Sequence, residues 1–547
     1  MDDFEPSNEK RRNNPFLPLF FSLVLVAGIS IGYFLSFGNS TVSNKKDSGF
    51  HKNTSSTKIN SLLDYIEMEY VDTVNEKQLV EKTLTSMLHS LDPHSDYIPA
   101  EDFNQVNEPL QGEFDGIGVE FNLINDTIRV ITPISGGPSE KLGIKAGDKI
   151  IKVDNKNVAG IKITNKQVFE KLRGKSGTKV LVTILRSDVS HPIDFNIERG
   201  AIPIYSIDVS YIVKPGIGYI KISRFASTTY DEYVKAFNEL NKKGMKRMIL
   251  DLRGNPGGFL KAAVDIADEF LANGLQIVYT QGRANPKKTY KATNHGSFEN
   301  NPLVILIDEG SASASEIVAG AVQDNDRATI IGRRSFGKGL VQDQLDLNDG
   351  SAIRLTIARY YTPTGRCIQK PYLENNDAYY NEEMDRLTAG ELINADSIKF
   401  DKTKKFRTPG GKIVYGGGGI MPDIFVPLDT AKYTHFVNKA FYMGIINSFG
   451  FDYTDKHRKE LLQKYITAED YIKLFNTNEN ILNNFYAFAE GKKVKATEND
   501  KQKSNANLKQ LLKALIGRNL FDKDAYYPII NENDRSIKKA VEILTHP

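Results

Sequence analysis

Cysteine is almost absent from this chain. Cys367 is the one cysteine in 547 residues, which excludes an intrachain disulfide and excludes cysteine clusters as metal sites. The eight histidines include no His-x-x-x-His pair of the zinc-binding kind. No glycine-rich loop ends in the Lys-Ser/Thr of a phosphate-binding loop. We therefore expect neither a metal nor a cofactor.

The chain also lacks a strong excess of charge of one sign. Its formal net charge is +3, so its composition offers no argument for nucleic-acid binding. Hydrophobic residues make up 40% and charged residues 25% of the chain, as in ordinary folded proteins. This length accommodates about three to four domains.

One long apolar run stands near the N-terminus. Residues 16–37 carry no charge and are long enough to cross a bilayer. Lys10-Arg11-Arg12 precede the run, which predicts a cytoplasmic N-terminus and an exported body. A cleaved signal peptide is the alternative. The run is longer than a signal core and lacks a clear Ala-x-Ala site, which favours an uncleaved single-pass anchor in the bacterial inner (cytoplasmic) membrane. The rest of the chain would then face the periplasm or extracytoplasmic space.

Ser313 and Lys338 are the most informative pair. Ser313 lies between Leu303–Ile307, predicted to be a buried strand, and Glu316–Gln323, predicted to be a helix. Unpaired amides at a helix N-terminus favour developing negative charge. A serine nucleophile needs a base, and a lysine whose pKa is lowered by burial can serve as one. Ser-Lys pairs are a known variant of the serine-hydrolase arrangement.

Both residues also have interpretations without chemistry. Ser313-x-x-Glu316 fits a capping box, in which the serine only caps the helix. Lys338 alone is compatible with a solvated loop lysine. Ser311 and Ser315 compete with Ser313 as candidate nucleophiles.

A Ser-His-Asp triad is the competing catalytic arrangement. His94 lies beside Asp92 and Asp96, and His295 lies in a Gly/Asn/Ser loop. Neither histidine is near a glycine-flanked serine. We interpret both histidines as surface or structural residues.

A glycine-rich turn follows a further predicted strand, Met248–Leu252. The turn reads Arg253-Gly-Asn-Pro-Gly-Gly258, and an amphipathic helix is predicted after it, from about 259 to 270. Glycines let a backbone approach a ligand closely, and amides at such a loop can stabilise an oxyanion. Turn formation alone also explains these glycines.

Together these segments resemble the carboxyl-terminal processing proteases, also called tail-specific proteases, which are Ser-Lys serine peptidases with a PDZ domain. The resemblance spans roughly residues 55 to 430. It rests on matches in the family's order: Leu91-Asp-Pro-His-Ser-Asp-Tyr97, Asp251-Leu-Arg-Gly-Asn-Pro-Gly-Gly258, Gly310-Ser-Ala-Ser-Ala-Ser-Glu316, Gly332-x-x-Ser-Phe-Gly-Lys-Gly-x-Val-Gln342 and the region after Tyr361-Thr-Pro-Thr-Gly-Arg366.

The resemblance assigns roles to individual residues. It implies that Ser313 is the nucleophile, since the family's serine-to-lysine spacing selects it over its neighbours. Lys338 would be the general base, and Gln342 would orient it. Amides of Gly257 or Gly258 and of Ala314 would form the oxyanion hole.

Residues 112–199 resemble a circularly permuted PDZ domain of the bacterial kind. The loop of Gly116, Ile117, Gly118 and Val119 matches the one whose amides receive a peptide carboxylate. PDZ domains bind extended peptides by adding a strand to a sheet edge. The predicted helix Asn165–Leu172 would line that groove. A simple hairpin turn is the alternative interpretation of this loop.

The alternation of strand-like and helical runs predicts an α/β (α+β) multidomain protein. The predicted organisation is as follows: 1–15 cytoplasmic basic N-terminus; 16–37 transmembrane anchor; 38–58 linker; 59–111 helical N-terminal segment; 112–199 PDZ domain; 200–426 α/β peptidase core; 427–547 helical C-terminal extension. A charged insertion at about 374–401 is expected to be exposed rather than part of a site. For the extension, packing onto the core and dimerisation are both compatible with the sequence.

We therefore expect a membrane-anchored serine endopeptidase that cleaves exported proteins whose C-termini the PDZ domain recognises. Its partners would be protein or peptide substrates and the membrane, and not nucleic acid. A homo-oligomer and an adaptor protein remain open. Two alternatives are a non-catalytic PDZ adaptor with a peptidase-like fold and a Ser-Lys amidase or esterase.

Overall fold

The structure is a computed structural model that describes residues 54–372, 376–399, 401–430 and 434–546. The predicted cytoplasmic N-terminus and membrane anchor, residues 1–37, lie outside these ranges. Within them, every helix is too short or too polar to span a bilayer. The chain divides into two compact units, Met1–Val80 and Glu81–Pro547.

In the first unit, helix α1 covers Thr54–Glu69. Helix α2 covers Glu76–His89, so it starts in the first unit and continues into the second. The helix predicted from about Ile59 is thus confirmed, but it starts earlier, within the predicted linker. The apolar side chains of α1 remain largely exposed, and Leu62 and Met68 have 57% and 75% of their surface accessible.

The second unit contains the strands β1 Asp96–Ile98, β2 Glu113–Gly116, β3 Val119–Leu123, β4 Ile128–Pro133, β5 Lys149–Val153, β6 Lys156–Asn157, β7 Lys179–Leu185, β8 Ile193–Glu198, β9 Gly200–Pro203, β10 Ile207–Lys214, β11 Ile217–Ile222, β12 Arg247–Asp251, β13 Gln276–Gln281, β14 Lys288–Lys291, β15 Leu303–Ile307, β16 Thr329–Gly332, β17 Leu340–Asp346, β18 Ala352–Tyr361, β19 Lys405–Arg407, β20 Ile413–Tyr415 and β21 Ile424–Phe425.

Its helices after α2 are α3 Phe103–Gln111, α4 Pro138–Lys141, α5 Asn165–Leu172, α6 Thr229–Lys242, α7 Leu260–Asp268, α8 Ala314–Asp324, α9 Asn376–Thr388, α10 His435–Tyr442, α11 Ile445–Lys464, α12 Ala468–Leu474, α13 Glu479–Gly491, α14 Glu498–Asn531 and α15 Arg535–Thr545. The bounds of β15 and α5 coincide with the strand and the helix predicted there from the sequence.

The largest core surrounds a sheet with strand order β10-β11-β12-β15-β16-β21. β10 pairs antiparallel with β11, and every later neighbouring pair is parallel. Strand β15 is buried along its whole length, as expected where helices cover both faces of a parallel sheet. Because parallel strands end at one edge, the loops that follow β12, β15 and β16 meet there. These loops carry the glycine-rich turn, Ser313 and Lys338.

A second, antiparallel sheet has the order β1-β18-β13-β14, with β17 also paired to β18. In this sheet β1, into which the Leu91–Tyr97 motif leads, and β17 both pair with β18. A third sheet, β3-β4-β5-β7-β8, has its own apolar core with α5 and corresponds to the predicted PDZ domain.

The C-terminal helices form an apolar core of their own and also pack on the rest of the second unit. α15 covers one face of the central sheet, where Ile537 and Leu544 are buried. Asp452 of α11 pairs with Arg129 of β4 at 3.0 Å. Packing onto the core, one of the two possibilities for this extension, is therefore observed, and dimerisation is untested.

Two local expectations were wrong. The polar composition of residues 492–507 predicts a linker, but α14 begins at Glu498, because Thr497 and Asp500 form a capping box there. The insertion was expected to be exposed, yet its Tyr379, Arg386 and Glu391 are buried. Ion pairing explains this burial, since charged side chains enter an interior when they meet partners there.

Candidate active site

Ser313 lies where β15 turns into α8, as the N-cap residue of that helix. Its φ of 52° and ψ of −110° place a non-glycine residue in a strained region that is frequent at functional sites. The hydroxyls of Ser311 and Ser315 are buried and bind backbone carbonyls, those of Leu252 and Asn255 respectively. Of the three serines, Ser313 is the one that is partly exposed.

Lys338 lies in the loop between β16 and β17 and is largely shielded from solvent. Burial, followed by the nearby positive charge of Arg354, lowers the pKa of Lys338 to about 8. Asp92 and Glu316 oppose this shift with their negative charges. About a tenth of the amine is therefore neutral at pH 7, and a general base must be neutral to accept a proton.

The Lys338 ammonium donates to Oε1 of Gln342 at 3.1 Å. Gln342 lies in β17 beside a register shift between Val341 and Gln342, and such bulges re-aim side chains. Its amide nitrogen donates in turn to the main-chain carbonyl of His94 at 2.5 Å. The Leu91–Tyr97 motif thus reaches the lysine through Gln342.

The two candidate histidines are placed differently. His94 is largely buried, and its Nε2 lies 2.7 Å from the Tyr379 hydroxyl. Burial, with the charge of Lys338, lowers the pKa of His94 to about 3, so its ring is neutral. His295 is exposed in a loop. Neither imidazole forms a hydrogen bond with Ser313 in the described residues, and the structure gives no support for a Ser-His-Asp triad.

Glu316 joins the serine and lysine segments. Its fully buried carboxylate accepts from the amides of Ser313 at 2.8 Å, Lys338 at 2.9 Å and Gly337 at 2.7 Å, and from the Ser335 hydroxyl at 2.5 Å. Burial raises the pKa of Glu316 to about 7, although these donors oppose the shift. The sequence suggested only a capping role for this residue.

Tyr360 of β18 forms a second link that the sequence did not reveal. Its buried hydroxyl lies 3.1 Å from the carbonyl oxygen of Ser313 and 2.6 Å from that of Lys338. The two candidate catalytic residues are thus held through their backbones by a tyrosine and a carboxylate. No motif in the sequence marks Tyr360, because its role depends on a contact between distant strands.

The glycine-rich turn packs directly against Ser313. A Cβ at Gly257 would lie 2.8 Å from the Cβ of Ser313 and 2.9 Å from the amide nitrogen of Ala314, so only glycine fits. The Gly257 amide donates to the side chain of Asn255 at 2.8 Å. The amides of Gly258 and Ala314 have no acceptor among the described residues, which leaves these two as candidate oxyanion donors.

Ser313 and Lys338 are not joined by a hydrogen bond in this structure, since the lysine donates to Gln342 instead. The candidate nucleophile and the candidate base are thus held by a common scaffold of Glu316 and Tyr360.

The predicted carboxylate loop lies between β2 and β3. Ile117 is buried, and its carbonyl accepts from the Ser139 hydroxyl at 2.6 Å. Gly118 has a φ of 74°. Phe121 of β3 packs edge-on against Phe169 of α5, with ring centroids 5.5 Å apart. The strand and helix expected to border a peptide are thus both present.

Among the described residues, no group of three or more His, Cys, Asp or Glu side chains is arranged to hold a metal ion. The side chains gathered at Ser313 are instead suited to proton transfer and hydrogen bonding.

Comparisons with known proteins match four parts of the chain. Residues 216–377 match peptidase family S41, and residues 129–186 match the PDZ domain family. Residues 33–102 match the N-terminal domain of the activating protease CtpB, and residues 436–522 match a family of unknown function.

A carboxy-terminal-processing protease of Bartonella bacilliformis is 37% identical over 352 residues, which cover 63% of this chain and 80% of that protein. The chain belongs to the carboxy-terminal processing protease family. The processing protease CtpA of Bacillus subtilis is 35% identical over 65% of this chain and 75% of its own length. A solved photosystem II D1 C-terminal processing protease is 26% identical, covers 69% of this chain and 94% of its own, and has a TM-score of 0.33.

Membership confirms the family resemblance seen in the sequence. The chain is a serine-type processing peptidase of family S41 with a PDZ domain and a helical C-terminal region. The extension from α10 into α14 coincides with the match of unknown function.

Proposed function

We propose that this protein is a membrane-anchored endopeptidase that cleaves exported proteins. Its catalytic residues would be a dyad of Ser313 and Lys338. The supporting observation is the shared scaffold, in which Glu316 and Tyr360 hold the backbones of both residues. The lowered pKa of Lys338 makes it fit for the role of base, and Gln342 keeps its ammonium in place.

In the proposed reaction, neutral Lys338 takes the proton of the Ser313 hydroxyl as that oxygen attacks the scissile carbonyl. The oxyanion accepts hydrogen bonds from the amides of Gly258 and Ala314. Gly257 would join them only if its bond to Asn255 broke. Lys338 then delivers its proton to the leaving amine, and water releases the acyl-enzyme with Lys338 again as the base.

Substrates would enter through the PDZ domain. Their C-terminal carboxylate would bind the amides of the loop from Gly116 to Val119, and the adjoining residues would pair with β3 beside α5. The uncharged run at 16–37 and the basic residues before it support an inner-membrane anchor with the catalytic part outside the cytoplasm.

Cleavage of a denatured model protein with an apolar C-terminal tail tests the dyad. Wild type, Ser313→Ala and Lys338→Ala would be compared as full-length proteins in detergent, with melting curves to verify folding. We expect cleavage by wild type alone. Cleavage by folded Lys338→Ala would place the base elsewhere, and three inactive folded proteins would favour the PDZ adaptor.

Two further arms test the remaining parts of the proposal. Amidating the substrate's C-terminus removes the carboxylate and should raise KM more than it lowers kcat. Deleting residues 1–37 should release the protein from the membrane fraction. An unchanged KM would argue against recognition of the tail, and continued membrane association would argue against the anchor.

A further inference from the structure

Tyr379 of α9 brings the insertion after β18 close to the candidate base, beside Tyr380, whose hydroxyl donates to the carbonyl of Pro93. Only 3% of the surface of Tyr379 is exposed, and its ring meets that of His94 edge-on at 5.3 Å. The side-chain amide of Gln369 donates to the hydroxyl oxygen of Tyr379 at 3.4 Å. The hydroxyl proton of Tyr379 is therefore not used in that bond and can be donated to Nε2 of His94, which lies 2.7 Å away. A neutral imidazole accepts such a bond, and His94 is neutral.

His94 is linked to Lys338 through the side-chain amide of Gln342. The main-chain carbonyl of His94 holds the Gln342 amide nitrogen, and the oxygen of the same planar amide holds the Lys338 ammonium. A rotation of Gln342 that lost one of these bonds would strain the other. The position of the His94 main-chain carbonyl therefore affects the position of the Lys338 ammonium.

Tyr379 also braces the backbone just ahead of Lys338. Its carbonyl accepts from the Lys370 ammonium at 3.0 Å, and the main-chain amide of Lys370 donates to the carbonyl of Gly337 at 2.9 Å. The same ammonium lies 4.0 Å from the centroid of the Phe336 ring, whose edge-on partner is Tyr379 at 5.8 Å. The loop ahead of the base thus contacts this tyrosine through Phe336 and Lys370, whereas the side chain of Lys338 is linked to it only through Gln342 and His94.

The far end of α9 is anchored, which makes Tyr379 a fixed support. Arg386 donates to the carbonyl of Arg334 at 2.6 Å. Glu391 accepts from Arg386 at 2.8 Å and from Arg334 at 2.7 Å, and all three side chains are buried. A buried, fully paired network of this kind is rigid.

From this geometry we propose that Tyr379 is a positioning residue for Lys338, acting through His94 and Gln342. The inference rests on the proposed role of Lys338 as the base. It gives the insertion a function in catalysis, which its charged, turn-rich sequence did not suggest. The tyrosine itself touches neither Ser313 nor the lysine ammonium.

Tyr379→Phe tests this role because it removes one hydroxyl and keeps the ring. Tyr372→Phe is the matched control, since Tyr372 lies edge-on to Tyr379 but its hydroxyl binds Arg359 and not His94. Each full-length variant would be assayed on a short peptide. We expect Tyr379→Phe to lower kcat about 2- to 10-fold, the effect of one lost hydrogen bond, with KM unchanged. Tyr372→Phe should match wild type.

A second readout does not depend on activity. The rate at which acetic anhydride modifies Lys338 would be followed against pH by peptide mass spectrometry. A loosened, better solvated Lys338 titrates at higher pH, so the labelling midpoint of Tyr379→Phe should rise above that of wild type and of Tyr372→Phe. Arg354, Asp92, Glu316 and Lys370 also face this cluster and are unchanged in all three proteins.

An unchanged labelling midpoint in folded Tyr379→Phe would overturn the positioning role whatever its activity. A raised midpoint would support it even if Lys338→Ala still cleaved substrate. In that case the dyad would be the part that failed. Equal effects of Tyr379→Phe and Tyr372→Phe would also overturn the proposal, because they would indicate a general loosening of the insertion.

Discussion

The pH dependence of cleavage tests whether Glu316 and Lys338 work as one unit. Lys338 must be neutral to accept the serine proton, and Glu316 must be ionised to accept all of its hydrogen bonds. The pKa values of about 8 for Lys338 and about 7 for Glu316 require both to lose a proton as the pH rises. Because kcat/KM reports groups of the free enzyme, it should rise with pH and level off above pH about 8.

The size of the rise follows from the two values. At pH 6, about 1% of Lys338 is neutral and about 10% of Glu316 is ionised, so about 0.1% of molecules have both forms. At pH 9 the fraction is about 90%. We therefore expect kcat/KM to increase about 1,000-fold, with a logarithmic slope of about 1.9 at pH 6 that falls to about 1.4 at pH 7. A lone lysine with the same pKa would give about 100-fold and a slope of one.

Glu316→Gln is the matched perturbation, because it keeps the shape and removes the titration. A glutamine has one accepting oxygen, so at least two of the four hydrogen bonds are lost, and the plateau of kcat/KM should fall by about tenfold or more. The slope should fall to one. Since the negative charge of Glu316 raises the pKa of Lys338, the remaining midpoint should move below about 8.

The assay is cleavage of a short peptide from about pH 6 to about pH 9, with melting curves for both proteins at each pH. A slope of one in wild type would refute the reasoning. So would a slope of two that persists in folded Glu316→Gln, because the second proton would then belong to another group.

Three further changes have definite expected outcomes. Arg354→Gln removes a positive charge that lowers the pKa of Lys338, so the midpoint of kcat/KM should move to more alkaline pH; an unmoved midpoint would contradict this. Gly258→Ala would place a Cβ 2.0 Å from the Phe225 carbonyl oxygen, and we expect at least about 2 kcal/mol of destabilisation in urea unfolding; near wild-type stability would mean that the turn can relax. Asp534→Asn weakens the 2.8 Å ion pair with Arg253, the residue that leads into the glycine-rich turn, and should lower the free energy of unfolding in urea by about 1 to 2 kcal/mol. Lys261→Ala, which breaks the exposed pair with Asp265, is the control and should change it by less than about 1 kcal/mol.

The central layer of the fold could be predicted from the sequence because its signals are local. Leu303–Ile307 is an unbroken apolar run, and its strand has the predicted bounds. Glycines and a capping pattern mark the loops on either side. Parallel strands then bring those loops to one edge of the sheet. The candidate pair Ser313 and Lys338 follows from these motifs and from the family resemblance.

Polar contacts between distant segments could not be predicted in this way. Glu316 matches a helix cap in sequence, and only folding brings Gly337 and Lys338 to its carboxylate. The insertion has the composition of an exposed segment, and its burial depends on ion pairs that Arg334 supplies from another part of the chain.

The sequence by itself determined the buried strand Leu303–Ile307, the glycine-rich turn with Gly257 and Gly258, and the identities of the candidate nucleophile and base. Tertiary structure alone decided that Lys338 is shielded enough to lower its pKa, that the Gly257 amide is engaged by Asn255, and that Tyr379 reaches the base through His94. The physical reason is one of range. Propensity and periodicity act between near neighbours in the chain, whereas desolvation and side-chain hydrogen bonds depend on groups that meet only after the chain has folded.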